Sequence, residues 1–144
     1  MESKVTSFLI EAGPDPDSIR EKVIAQTPGS LVQAVSARAA KNGYYIEMIA
    51  AQTLHATGTP NLLARKPEVD LLLRFAGTTQ ISRAIGQMGA KIGRPFILVV
   101  AGPAKQLARV NWAELHGKEL VKRDLSPDEL ERIEAAALLN VLKG

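Results

Sequence analysis

Residues 68–93, EVDLLLRFAGTTQISRAIGQMGAKIG, decide how the rest of this chain is read. Val69, Leu71, Leu73 and Phe75 alternate with Asp70, Leu72, Arg74 and Ala76. The alternation predicts a strand over 69–76 with one face buried and the other partly wet. Gly77 ends it, and Thr78 or Thr79 can accept from a helix-start N–H. Ile81, Ala84, Ile85 and Met88 then recur at helical spacing until Gly89 stops the helix. The junction gathers free backbone N–H groups, two threonine hydroxyls, Gln80, Arg74 at the strand end and Arg83 one turn into the helix. Such a set suits an anion or a polynucleotide end. Its plain structural reading is a capped helix packed on a sheet.

Outward from this unit, strands and helices alternate. A first strand is expected over 5–11, and GPDPDS at 13–18 breaks it, with Asp15 or Asp17 as cap of a helix whose inner face is Ile19, Val23 and Ile24. A second strand over 31–37 leads to a helix over 44–56 carrying Tyr45, Met48, Ile49, Gln52 and Leu54 on its buried stripe. Residues 57–68, with two prolines and the Arg65-Lys66 pair, read as a solvent-facing loop. The apolar run over 95–101, with FILVV at its centre, suits a strand buried on both faces. Residues 104–115 read as a helix. Ser126, Pro127 and Glu129 then spell a capping box that opens a last helix to residue 142. The predicted fold is α/β, a single-domain two-layer sandwich over 1–144, with about four strands in one sheet packed by helices and an amphipathic C-terminal helix.

Composition narrows the function. The 144 residues suffice for one core without staples. The absence of cysteine excludes disulfide scaffolds, thiolate metal sites and cysteine nucleophiles. No uncharged run approaches the ~20 residues of a membrane span, and the first thirteen residues resemble a strand rather than a secretion signal. A cytoplasmic protein is expected. The net charge of +3 is unevenly spread: residues 31–110 hold ten of the eighteen basic side chains against three acidic ones, whereas both ends are net acidic. A basic centre favours phosphate. With three Phe, two Tyr and one Trp there is no aromatic platform, so RNA contact should be local and mostly electrostatic.

No catalytic constellation is convincing. Neither GTPNLLARK nor GQMGAKIG has P-loop spacing. His55 and His116 are too few for a His-based metal site, and His55 has the ordinary role of a helix-end cation beside that of a phosphate or base contact. Asp128, Glu129, Glu131 and Glu134 read as a solvated face. In the last helix Ile133, Ala136, Ala137, Asn140 and Val141 follow one stripe, while Leu130, Leu138, Leu139 and Leu142 spread apolar surface around more of the circumference than one face of a small domain can bury. A partner or the domain's own sheet has to cover them. A binding subunit without metal or cofactor is expected.

Three strings carry a family likeness: LLLRFAGTTQISRAIGQMGAK at 71–91, QTLHA at 52–56 and LSPDELERIEAAALLNVLKG at 125–144. Together they resemble the small non-catalytic subunit of the KEOPS complex, the PRPK-binding-protein family, in an archaeal form. The likeness runs from the second strand to the C-terminus, and the first 28 residues match only in outline. Arg65-Lys66 stands where that family places a basic approach, and Pro67 departs from it.

The resemblance implies a subunit without catalysis of its own, in a complex that installs N6-threonylcarbamoyladenosine beside the anticodon of tRNA. The subunit would dock on the complex's kinase/ATPase and recruit tRNA through its 3′ CCA end, with no small-molecule substrate. The residues expected to contact tRNA are Lys41, His55, Arg65, Lys66, Arg74, Thr78, Gln80, Arg83 and Lys91. Ile133, Ala137, Leu138, Val141 and Leu142 are expected at the kinase interface. Two other classes stay open: a small phosphate-metabolite enzyme built from Arg74, Thr78, Gln80 and His55, and a purely protein-interaction module.

Overall fold

The FILVV run becomes the centre of the molecule. The computed structural model describes residues 3–11 and 13–143. Strands β1 (Ser3–Ile10), β2 (Leu31–Ser36), β3 (Phe96–Pro103) and β4 (Gly117–Glu119) form one antiparallel sheet in the order β2-β3-β1-β4. Val5 and Leu31 both face Ala101 across β3, and Phe8 faces Leu98. Residues 96–102 are all buried, as a strand covered on both faces requires.

Each face of the sheet has its own core. Val35, Ile97, Val99 and Ala101 pack under the larger helical layer of α2 (Gly43–Ala56), α3 (Pro67–Ala76), α4 (Ile81–Met88) and α6 (Pro127–Ala137). Val32, Phe96, Leu98 and Val100 pack with Ile19 and Val23 of α1 (Pro16–Gln26) and with Leu107, Val110 and Leu115. The expected α/β architecture, one sheet packed by helices with a C-terminal helix, is the one observed.

Local chemistry fixes the ends. Asp15 caps α1 by accepting from Asp17 N–H at 3.1 Å. Asn42 caps α2, and its side chain also bonds both the N–H and the C=O of Arg123, which ties the 120–126 segment to that helix. Ser126 and Glu129 form the full reciprocal capping box of α6. Two hydrogen bonds occupy the outer side of β2: Arg20 Nε donates to Val32 O, and Ala34 N–H donates to the Gln33 side chain. That edge does not offer an open ladder to another chain.

The structure corrects the reading of residues 69–76, which are helix rather than strand. The run is rich in Leu with one β-branched residue, Pro67 occupies the first turn, Glu68 and Asp70 favour the N-terminus, and Gly77 adopts the left-handed conformation (φ 69°) that ends a helix. Residues 70–75 are all buried, and Asp70 and Arg74, four residues apart, share one side of the helix while the leucines and Phe75 spread over the rest. Burying each of Leu71, Leu72, Leu73 and Phe75 is worth about 1.5–3 kcal/mol, and that packing decides the outcome.

The fourth strand is instead β4. Residues 104–115 supply only the short α5 (Ala104–Leu107) and a 3₁₀ turn at Trp112–Leu115, where Trp112 stacks on Phe8 at 4.5 Å. The final helix breaks at Leu138 into α6 and α7 (Leu139–Lys143). Ile24 is exposed, and Leu63 in the 57–66 loop is buried.

Candidate nucleic-acid interface

Arg74 is not at a strand end. It lies in α3, one turn after Asp70, and both side chains are buried. Its Nε donates to Asp70 Oδ1 at 2.7 Å and Nη2 to Oδ2 at 3.1 Å, the bidentate geometry that Arg and carboxylate favour. Nη1 donates to Ala136 O at 3.2 Å, and the neighbouring Gln52 Nε2 donates to Ile133 O at 2.9 Å. Asp70 also accepts from Thr53 Oγ1 and from Leu63 N–H. The pair therefore fastens α2, the 57–66 loop and the C-terminal end of α6 onto α3. Its charge is already matched.

The turn that follows stays at the surface. Thr78 Oγ1 accepts from Gln80 N–H at 3.2 Å, Gln80 is exposed, and no side chain caps the start of α4. At 100° per residue, Arg83 and Gln87 fall on one flank of α4 and Ile81 and Ile85 on the other, while Ala84 faces the core. Ile81 and Ile85 are about half exposed, at 48% and 50%. The predicted apolar stripe of this helix is thus half-wet, with Ile81 and Ile85 on one flank and Arg83 on the other.

Beyond α4 the chain gathers a second group of cations. Gly89 forms an antiparallel bridge with Val35, which brings the 89–95 loop beside the end of β2. Arg38, Lys91 and Arg94 converge there on a recess of about 220 Å³ shared with Ser36 and Gln87. No carboxylate lines it. Among the described residues the ion pairs are Arg74 with Asp70 and Lys122 with Glu47, so none of the three recess cations is neutralised. Sequence reasoning found Lys91 and Arg83 but missed Arg38, Arg94, Gln87 and the two isoleucines. Arg94, three residues past Lys91, was visible; Arg38 joins only through the tertiary Val35–Gly89 bridge.

The remaining predicted contacts are dispersed. Arg65 and Lys66 are exposed at the N-terminal end of α3, a helix about 15 Å long, so they stand roughly that far from the Thr78–Gln80 turn. Lys41 is exposed before α2. His55 is exposed in the last turn of α2 and shares with Gln52, Asn61, Arg74 and Asn140 a cleft of about 390 Å³. Thr78 and Gln80 do not line that cleft, so the four-residue enzyme arrangement is not assembled. No group of three His, Cys, Asp or Glu side chains able to hold a metal occurs among the described residues.

At the C-terminus Ala136 and Leu139 turn inward and Ile133 is partly buried against the core. Ala137, Leu138 and Val141 face outward, with Leu138 60% and Val141 70% exposed. The side chain of Leu142 lies outside the described residues. Leu130, also exposed, extends this stripe toward the start of α6. Glu129, the residue before Leu130, has its carboxyl held below the ordinary value, chiefly by the Ser126 backbone N–H of the capping box and then by Asn42.

No family model matches the chain, and no curated protein matches it in sequence. Among the described residues no helix is long and apolar enough to cross a membrane.

Proposed function

We propose that this protein is a non-catalytic tRNA-binding subunit that docks on a partner kinase/ATPase, in the manner of the KEOPS small subunit, and that it acts in the cytoplasm in threonylcarbamoyladenosine modification. One observation carries the reading. A recess lined by Arg38, Lys91 and Arg94 and by no carboxylate lies at the end of α4, which itself carries Arg83, while a separate apolar stripe of Ala137, Leu138 and Val141 lies on the C-terminal helices.

The chemistry of each surface suits its partner. Unpaired nucleotides offer bases to the exposed faces of Ile81 and Ile85 and phosphates to Arg83 and Lys91 on the other side of α4. The α4 N-terminus, with uncapped N–H groups next to Thr78 and Gln80, suits the 3′ end of the strand. Exposed leucine and valine framed by Glu131 and Glu134 fit a protein partner rather than RNA.

Two parallel assays test the proposal. Leu138→Glu should abolish capture of the purified kinase subunit while leaving melting and tRNA binding unchanged, since a hot-spot loss of ~2 kcal/mol or more weakens binding about thirtyfold. Arg83→Gln should weaken tRNA binding and leave kinase capture intact. A protein that binds neither tRNA at low salt nor the kinase would overturn the reading.

A further inference from the structure

The recess at the end of β2 is a constructed feature. A Cβ on Gly89 would come within 2.6 Å of Ile85 O, so only glycine lets the chain turn there and bridge to Val35. Gly93, at φ 83°, reverses the loop so that Arg94 N–H bonds Lys91 O and both side chains reach the same recess. From the other side, Ser36 Oγ accepts from Arg38 N–H and fixes the turn that carries Arg38. Three cations from two segments are thus held together against their mutual repulsion, with no acid among them. A doubly negative group relieves that repulsion better than a singly charged phosphodiester or carboxylate. Arginine forks match phosphate oxygens bidentately, while Lys91 adds a point charge and Gln87 a neutral donor.

We infer that this recess binds a terminal phosphate monoester, the 5′-phosphate of the RNA whose 3′ end lies at the start of α4. The inference depends on the tRNA reading for the source of the phosphate. Phosphate monoesters carry about −1.5 to −2 charges near neutral pH, and the 5′ end of an acceptor stem supplies one such group beside four unpaired 3′ nucleotides. Four nucleotides at ~3.4 Å each span about 14 Å. The eight residues of α4 run about 12 Å from the Thr78–Gln80 turn to the recess, so one helix length separates the two ends of the RNA as the acceptor end does. Arg83 and Gln87, one turn apart, line the path between them.

The test compares tRNA carrying its 5′-phosphate with the same tRNA ending in a 5′-hydroxyl, by fluorescence anisotropy at fixed salt. The intact protein should prefer the phosphorylated form roughly tenfold. Arg38→Gln and Lys91→Gln, each confirmed folded by thermal melting, should lose the preference, whereas Arg83→Gln should weaken both RNAs alike and keep it. Equal affinity of the unaltered protein for the two RNAs overturns the inference while leaving the tRNA reading in place, and so does a preference that survives in Arg38→Gln and Lys91→Gln. If neither RNA binds, the tRNA reading fails and takes the 5′ assignment with it. A melting shift in inorganic phosphate that Arg38→Gln abolishes would then show a simple anion site instead.

Discussion

Arg74 and the Arg38, Lys91 and Arg94 group all belong to the basic middle of the chain, residues 31–110, yet they have opposite fates. Arg74 is buried against Asp70 in the same helix and spends its donors on that carboxylate and on the Ala136 carbonyl. The other three share an open recess with no acid in it. A buried cation must be paired because desolvation is expensive, and the pairing makes it a joint of the fold. Exposed cations tolerate company without pairing, and that leaves them free for a ligand. Charge counted along the sequence does not tell the two apart; the partner does.

The largest expected effect breaks the buried side of this contrast. Arg74→Met should destabilise the fold by about 3–5 kcal/mol, because it leaves Asp70 charged and unpaired in the core. In thermal unfolding this is a fall on the order of 10 °C. Asp70→Leu combined with Arg74→Leu should recover much of the loss, so the two sites should be strongly non-additive in a double-mutant cycle. A surface-like Arg74, with a change within ~0.5 kcal/mol, would erase the distinction.

On the exposed side, Arg38→Gln and Lys91→Gln should leave unfolding in denaturant within ~0.5 kcal/mol of the parent. Their effect belongs in RNA binding, where each should flatten the log–log salt dependence by ~0.7–0.9. An unchanged slope would remove that cation from the RNA surface.

How far these contrasts could be read beforehand depends on where the physics is local. The Asp15 cap, the Ser126–Glu129 box and the buried FILVV strand lie within short windows of sequence, and each stands where it was expected. Residues 69–76 were misread because an accidental alternation in Val69, Leu71, Leu73 and Phe75 matches the period of a strand, while the polar side of the helix holds only Asp70 and Arg74. The signals that did mark the helix were its Leu content, Pro67, the Asp70–Arg74 spacing of four and Gly77. That misreading put Arg74 beside Thr78 and Gln80, whereas the structure aims it at α6. Arg38 could not be assigned to the recess because its proximity to Lys91 depends on a bridge between residues 35 and 89.

A smaller effect compares the surface carboxylate Glu129 with buried Asp70. Glu129 has its folded pKa lowered, so its cap contributes fully above the ordinary value of 4.5 and is lost as pH falls through the lower folded value. Glu129→Gln should therefore flatten the acid side of the stability profile and leave neutral pH nearly unchanged. Ser126→Ala, which removes the other half of the box, should cost about 1 kcal/mol. An acid limb identical in Glu129→Gln and the parent would mean that the capping carboxylate does not sense the fold.

The most direct measurement of the proposed function is the affinity of the purified protein for intact tRNA and for the same tRNA lacking its terminal CCA, titrated at one salt concentration. The intact tRNA should bind roughly tenfold or more tightly, with the difference reduced in Gln80→Ala and Ile81→Ala. Equal affinity for the two RNAs would contradict the proposed function and leave the start of α4 with no claim on the 3′ end.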